Sequence, residues 1–294
     1  MTRTHDIQIN NTHKALPADD CRTWLFVLFD NRNGENMAYH ICSLYSGSGG
    51  NSVLVQAGGA TILIDAGKSA RSLCAALTSL GLDISGIGAI FITHEHTDHV
   101  GALEIISKKH SIPVHITDRS LAGMPAGEYL CRTAVPHQPH FCVQLAGLTV
   151  SSFATSHDSE CSVGYRLEFD DKDGHHIIGL ATDTGCVTED MSRNLLGCES
   201  VVLECNHDPN LLMFGRYPYQ LKQRIMSRRG HLSNDDCAAF AAALAQSGTR
   251  HILLAHLSRE NNTPDMALAA VRGAVPQDEV DIRVADPNVP VILV

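Results

Sequence analysis

Apolar runs of strand length alternate with segments whose apolar residues recur at helical spacing along the chain after residue 36. A run of about four to eight apolar residues bounded by turn residues is typical of a buried strand, and a spacing of three and four is typical of a helix. We predict strands at 40–45, 51–56, 61–64, 89–93, 114–116, 141–145, 148–153, 164–169, 176–181, 201–204, 251–255 and 289–294. We predict helices at 69–80, 98–110, 234–246 and 265–274.

Both halves of the chain follow the same order, in which strands lead into a polar segment and then into a helix. Because such helices cover the faces of sheets, the pattern predicts a layered α/β sandwich with ligands on loops at the strand ends. We predict a single catalytic domain over residues 37–294, since no linker or low-complexity segment divides it. Residues 1–36 are predicted to be an N-terminal extension, whose apolar run 23–29 could add an edge strand.

Composition and residue spacing disfavour several functional classes. The net charge of −10 disfavours a protein that coats nucleic acid through electrostatic attraction alone. The ten cysteines include no C-x-x-C pair, which disfavours zinc fingers and disulfide frameworks. The apolar runs are too short to cross a bilayer and the N-terminus lacks the apolar core of a secretory signal, so we expect a cytoplasmic protein with no membrane partner.

The strongest chemical signal is the segment THEHTDH at 93–99, which follows a strand and begins a helix. His94 and His96 are two residues apart and project to the same side of an extended backbone. Asp98 and His99 follow at the turn. Three imidazoles and a carboxylate within six residues are typical of a site for two metal ions, because imidazole suits Zn, Fe or Mn and a carboxylate anchors the second ion.

This segment resembles the H-x-H-x-D-H signature of the metallo-β-lactamase superfamily, and further motifs follow in the family's order. They are IDAG at 64–67, TSHD at 155–158, ATDTG at 181–185 and LAHLS at 254–258. The resemblance implies a four-layer αββα sandwich with metal ions at the strand ends.

The resemblance also implies a set of ligands for two divalent ions, Zn or Mn. The first ion would be bound by three histidines and the second by an aspartate and two histidines: His94, His96 and His157, and then Asp98, His99 and His256. Asp183 would bridge the ions, and Asp65 would order the metal loop from behind the ligands. Ions about 3.5–4 Å apart would activate a bridging hydroxide, so Asp98 and Asp183 are also candidate catalytic residues.

The segment RGHLSN at 229–234 places His231 just before a predicted helix, with Ser233 as the N-cap. It resembles the Gly-His-x-Thr/Ser segment of ribonuclease Z-type phosphodiesterases, whose histidine assists departure of the leaving group. The resemblance therefore implies that His231 is catalytic.

A basic run without acids lies between Phe214 and His231, and Phe214, Tyr217 and Tyr219 are interleaved with its cations. The cations, which are the candidate substrate-binding residues, are Arg216, Lys222, Arg224, Arg228 and Arg229. In a chain of net charge −10, such a run is suited to phosphate groups. A solvated basic helix face would have the same composition.

Stretches between about Met37 and Asn262 resemble the bacterial YycJ (WalJ)-type subfamily, among them SGSGGNS at 46–52 and ECNHD at 204–208. We interpret the first as a tight turn near the metal cleft, since it lacks the lysine of a P-loop. Such proteins are regarded as 5′-to-3′ DNA exonucleases. The resemblance thus implies a dinuclear phosphodiesterase acting on DNA.

Two alternatives stay open. The first is a small-molecule hydrolase of the same fold, such as a cyclic phosphodiesterase or a thioesterase. The second is a nucleic-acid-binding protein without catalytic activity. The sequence also leaves open the native metal, the choice between DNA and RNA, the polarity of cleavage and the oligomeric state.

Overall fold

The computed structural model describes residues 39–275 and 279–294. The first of two sheets contains β1 (His40–Tyr45), β2 (Ser52–Ala57), β3 (Ala60–Ile64), β4 (Ala89–Phe91), β5 (Val114–Thr117), β6 (Ala134–His137) and the late strand β14 (Val291–Ile292). Their order is β14-β1-β2-β3-β4-β5-β6. Pairing is antiparallel from β14 to β3 and parallel from β3 to β6.

The second sheet repeats this plan. It contains β7 (Cys142–Leu145), β8 (Leu148–Ala154), β9 (Val163–Asp171), β10 (Gly174–Ala181), β11 (Ser200–Glu204), β12 (His251–Ala255) and β13 (Asp281–Val284). Their order is β13-β12-β11-β10-β9-β8-β7, antiparallel from β7 to β10 and parallel from β10 to β13.

Helices connect the strands of both sheets. They are α1 (Ala70–Ser79), α2 (Thr97–Val100), α3 (Leu103–His110), α4 (Asp118–Gly123), α5 (Glu128–Thr133), α6 (Glu189–Leu195), α7 (Pro209–Phe214), α8 (Tyr219–Ile225), α9 (Asn234–Gln246) and α10 (Pro264–Ala274), with a 3₁₀ turn at Ile84–Gly86. None of the helices in the described ranges is both long and apolar enough to cross a membrane.

Three buried apolar layers establish the αββα sandwich. Residues of both sheets, such as Ile41 and Tyr165, fill the layer between the sheets. A second layer joins the outer face of the first sheet to α1 and α3. A third joins the outer face of the second sheet to α6, α9 and α10. The predicted four-layer sandwich is therefore confirmed.

Most predicted strands are confirmed within one or a few residues, and the helix at Asn234–Gln246 is confirmed at both ends. The predicted helix at 98–110 is wrong as a single element, because α2 ends at Val100 and α3 begins at Leu103. The terminal strand is also shorter than predicted. The prediction for residues 1–36 lies outside the described residues.

The break between α2 and α3 has a tertiary cause. In a continuous helix the amide of Ala102 would donate to the carbonyl of Asp98, four residues earlier. Here the Ala102 amide donates to Ala66 O at 2.9 Å, and Asp98 O accepts from the amide of Asn51 at 2.8 Å. Loops from elsewhere in the first sheet thus take both partners of that helical hydrogen bond.

Candidate metal centre

The predicted metal ligands lie on loops, or on the short helix α2, that follow the carboxyl ends of strands from both sheets. His94 and His96 follow β4, Asp183 follows β10, and His256 follows β12. Parallel strands end at the same edge of a sheet, which is where ligands of layered α/β proteins bind. The two sheets therefore contribute ligands from opposite sides.

Three histidines form the first cluster. His94, His96 and His157 offer ring nitrogens that all lie within 4.8 Å of one another. The ring centroids of His94 and His96 are 4.5 Å apart, and each lies about 5 Å from that of His157. His94 is fully buried, whereas His96 is only partly covered and faces the cleft.

A second cluster adjoins the first. Asp98, His99 and His256 also offer ligand atoms within 4.8 Å of one another. Asp183 forms a further group of this kind with His94 and His99, so its carboxylate reaches both clusters. The fold thus brings together all seven residues of the sequence-derived ligand set, in the two groups expected from the motif.

Unpartnered polar atoms indicate that this site fits metal ions. His94 Nε2, His256 Nε2 and Asp183 Oδ2 are buried without a hydrogen-bond partner among the described residues. Buried polar atoms in proteins are almost always paired, since leaving one unpaired costs about 1–3 kcal/mol. Two imidazole nitrogens and a carboxylate oxygen are ligands that Zn and Mn accept.

The opposite ring nitrogens are held by hydrogen bonds that aim the ligands inward. His99 Nδ1 lies 2.7 Å from Asp65 Oδ2, and Thr93 Oγ1 donates to the same carboxylate at 2.9 Å. His157 Nδ1 lies 3.0 Å from Gly230 O. Such contacts set the tautomer and leave Nε2 as the ring nitrogen on the ligand side. There His99 Nε2 lies 3.3 Å from Asp183 Oδ2 and 3.0 Å from Asn51 Nδ2.

The electrostatic field of the second cluster favours positive charge, whereas burial and the neighbouring histidines lower the pKa of His94 in the first cluster. Burial lowers the pKa of His99, but the charges of Asp65 and Asp183 outweigh this and raise it to about 9. Burial raises the pKa of Asp98, but the nearby imidazoles of His256 and His99 lower it to about 2. Bound metal ions would supply positive charge at the same place and displace the protons from the histidines.

Three residues of the site adopt a left-handed backbone, which is uncommon for residues other than glycine. Asp65, Asp183 and His256 have φ of 64°, 53° and 56°. Each directly follows, or nearly follows, a strand and turns its side chain toward the cleft. Left-handed residues with side chains cost about 1–2 kcal/mol, and such strain clusters at functional sites.

Glu204 is a functional residue to which sequence reasoning gave no role. It is fully buried at the end of β11. Its Oε1 lies 2.7 Å from His231 Nδ1 and 3.2 Å from His256 Nδ1, and its Oε2 accepts from the Thr184 amide at 2.7 Å. The signal available was a lone glutamate at the end of a strand of one serine and three apolar residues, where a carboxylate reaches the edge of the site.

His231 lies beside the metal centre, as its motif implied. Its ring centroid is 5.0 Å from that of His157 and 5.2 Å from that of His256. Burial lowers the pKa of His231, but the charge and hydrogen bond of Glu204 outweigh this and raise it. His231 Nδ1 is thus engaged by Glu204 at 2.7 Å.

A cavity of about 200 Å³ opens beside His231 and His256. Ser48 is among the polar residues that line it, which confirms that the glycine-rich turn lies near the cleft. Tyr217 and Leu221 line it as well. The lining of the cavity thus combines polar and apolar side chains.

The basic run does not form one free cationic surface. Lys222 Nζ donates to Met213 O and Gly215 O, and Arg224 pairs with Asp158. Arg229 donates to His157 O at 3.2 Å. These three cations support the loops around the site, while the exposed side chains of Arg216 and Arg228 have no described hydrogen bond or ion pair within the structure's ranges.

Comparison with known proteins agrees with this geometry. The model of the beta-lactamase superfamily domain matches residues 60–257. The exodeoxyribonuclease YycJ of Bacillus anthracis is 32% identical over 86% of this chain and 98% of its own length. The exodeoxyribonuclease WalJ of Streptococcus pneumoniae is 31% identical over 82% of this chain and 90% of its own length.

A solved structure shows the same fold. The metallo-beta-lactamase fold protein YhfI of Bacillus subtilis aligns with a TM-score of 0.64 at 16% identity, over 86% of this chain and 98% of its own. The buried His and Asp clusters sit where this fold gathers the carboxyl ends of its strands. The chain therefore belongs to the metallo-β-lactamase superfamily and is a metal-dependent hydrolase homologous to the YycJ and WalJ exodeoxyribonucleases.

Proposed function

We propose that this protein is a dinuclear metal-dependent phosphodiesterase that degrades DNA from the 5′ end. The observation that carries the proposal is the pair of Glu204 and His231, hydrogen-bonded at 2.7 Å beside the two ligand clusters. A thioester hydrolase, whose thiolate leaves readily, has less need of this proton donor than an enzyme expelling a sugar alkoxide. The relatives named exodeoxyribonucleases support DNA as the substrate.

Each site residue has a separate role in this proposal. His94, His96 and His157 would hold one ion, Asp98, His99 and His256 would hold the other, and Asp183 would contribute to both. Two ions of Zn or Mn bound there would activate water and stabilise negative charge on the phosphate oxygens. The carboxylate of Asp98, 24% exposed at the cleft, orients the attacking water by accepting a hydrogen bond.

His231 acts on the leaving side of the phosphate. Glu204 fixes the imidazole by accepting from Nδ1, and the raised pKa of His231 favours the form with a proton on Nε2. Nε2 then donates to the departing oxygen. Of the cations, Arg216 and Arg228 are the two we assign to phosphates of the strand, because the other three are engaged within the protein.

The proposal is tested with oligonucleotides labelled at the 5′ or the 3′ end, as DNA and as RNA, incubated with Zn²⁺ or Mn²⁺. We expect short products to be released first from 5′-labelled DNA, and a blocked 5′ end to stop the reaction. Hydrolysis of cyclic nucleotides or thioesters, with no cleavage of any oligonucleotide, would contradict the proposal in favour of a small-molecule hydrolase.

The role of His231 is tested in the same assay. His231→Ala removes the proton donor, so kcat on DNA is expected to fall about 10²- to 10⁴-fold while metal content stays unchanged. Bis-p-nitrophenyl phosphate, whose leaving group needs little protonation, should lose much less. The control is His175→Ala, which removes an exposed histidine that also contacts a carboxylate, Asp170, at 2.8 Å. Loss of a metal ion from His231→Ala would instead show that His231 is a metal ligand.

A further inference from the structure

We propose that unpaired bases of the DNA strand stack on an aromatic surface formed by Phe214, Tyr217 and Tyr219, which leads the strand to the metal centre. The surface lies where α7 ends and α8 begins. The inference rests on the proposed nuclease function and adds the part of the substrate that the protein recognises.

Exposure is the first observation. Phe214 is 85% exposed and Tyr219 is 73% exposed, the largest fractions among the exposed large hydrophobic side chains of the described ranges. Met213 and Leu211 beside them are 47% and 40% exposed. Aromatic residues make up only 5% of the chain, so two exposed rings within six residues are a concentrated feature. Exposed apolar patches of this kind mark interaction sites.

Continuity with the active site is the second observation. A surface depression of about 330 Å³ is lined by Phe214, Arg216 and Tyr217, among others. Tyr217 also lines the cavity that contains His231 and His256. Tyr217 therefore borders both spaces, and a strand bound in the depression would lie next to the catalytic cavity.

The rings are mounted on an ordered turn. Lys222 Nζ donates to Met213 O at 2.8 Å and to Gly215 O at 2.7 Å, which ties the end of α7 to α8. A side chain at Gly215 would lie 2.5 Å from Leu211 O, so the turn is closely packed there. Stacking on rings carried by a fixed backbone costs less conformational entropy than stacking on rings of a mobile loop.

Charge indicates how the strand lies. Arg216 is an exposed cation at the depression, and Glu260 is an exposed acid that lines it. The carboxylate of Glu260 repels phosphate but not a neutral base. In this proposal the bases therefore stack on the rings, and Arg216 pairs with phosphates of the strand. Stacking of this kind accepts every base, which suits an enzyme that removes successive nucleotides.

Binding of a single-stranded oligonucleotide with hydrolysis-resistant linkages and one 2-aminopurine tests the inference, since stacking quenches the fluorescence of this base. We expect quenching by the full-length metal-loaded protein, and binding about 5- to 100-fold weaker for Phe214→Ala and for Tyr219→Ala. Phe214→Trp should retain binding, whereas Phe214→Leu should not. Hydrolysis of bis-p-nitrophenyl phosphate should be unchanged in all four variants.

The matched control is Ile105→Ala, which removes an apolar side chain 49% exposed on α3. If the wild-type protein binds and cleaves DNA but Phe214→Ala and Tyr219→Ala do so equally well, the aromatic surface is overturned and the nuclease function stands. If the wild-type protein neither binds nor cleaves any oligonucleotide, the nuclease function itself fails. A change in oligomeric state in Phe214→Ala would identify the surface as an interface between copies and overturn the inference.

Discussion

At the scale of single residues, Glu204 shows how one carboxylate organises two functional histidines. Burial raises the pKa of Glu204, but the charges and hydrogen bonds of His231 and His256 outweigh this and lower it well below its usual range. The group therefore stays ionised in the core. A buried charge is tolerated only where it is paired and hydrogen-bonded, and Glu204 also accepts from the Thr184 amide.

Glu204→Gln tests this organisation while preserving the shape of the side chain. We expect a 10- to 100-fold loss of kcat or metal affinity, about the effect of removing a group that orients ligands. Steady-state kinetics on DNA and metal analysis measure the two effects separately. Glu199→Gln is the control, because Glu199 Oε2 also contacts a histidine, His176 at 2.8 Å, that belongs to no ligand cluster. Equal activity of both variants would contradict the role of Glu204.

The bridging role of Asp183 is best tested with Asp183→Asn. Its φ of 53° is tolerated better by asparagine than by alanine, so this variant removes the charge with little change in backbone strain. We expect the metal content measured by elemental analysis to fall from about two ions per chain to one or none. His256→Ala should chiefly weaken one site. Two retained ions in Asp183→Asn would exclude it as the bridging ligand.

At the scale of elements, the site depends on a close crossing of two loops of the first sheet. The loop after β3 runs beside α2, and the Ala66 amide donates to His99 O at 2.8 Å. A Cβ atom at Gly67 would lie 1.5 Å from Asp98 O. Only glycine permits this approach, which places Asp98 and His99 beside the ligands from the second sheet.

Gly67→Ala is therefore expected to displace Asp98 and destabilise the fold by about 1–3 kcal/mol, the usual cost of overpacking. Thermal unfolding and metal analysis should show a lower Tm together with lost metal. Gly86→Ala is the control, because its Cβ would have no neighbour within 4 Å. If Gly67→Ala has the same Tm and metal content as the control, the loop after β3 can move away from Asp98 without loss of stability.

At the scale of the whole molecule, the metal centre joins the two sheets. His94 and His96 follow a strand of the first sheet, whereas Asp183 and His256 follow strands of the second. Side-chain contacts add to this joint, since Tyr165 Oη donates to Ile92 O across the sheets. Ions bound by both sheets stabilise the folded state, because the unfolded chain does not present these ligands together.

Removal of metal by a chelator should accordingly lower the Tm. Ligand at about 100 times its Kd contributes about 2.7 kcal/mol, which corresponds to roughly 5–10 °C in a domain of this size. Differential scanning calorimetry with and without the chelator measures the shift, and Asp183→Asn should respond less. An unchanged Tm after verified loss of metal would show that the sheets are held by apolar packing alone.

The sequence by itself determined the elements with strong local patterns and the family to which the chain belongs. Helix α9 follows from its N-cap Ser233 and apolar spacing, and the strands follow from uninterrupted apolar runs. The H-x-H-x-D-H segment is local, so its chemistry could be read without the fold. The ligand roles of the seven residues stay a prediction, which the fold makes geometrically possible by gathering them within reach of two ions.

The tertiary structure alone decided what depends on residues far apart in the chain. Glu204 acquires its role from His231 and His256, 27 and 52 positions away. The α2–α3 break comes from the Ala66 carbonyl and the Asn51 amide. The sequence predicted that Lys222 binds phosphate, but in the fold its ammonium group donates to two backbone carbonyls. The partners of such a side chain depend on which loops lie together at one edge of the sheets. A local sequence pattern contains no information about those distant loops.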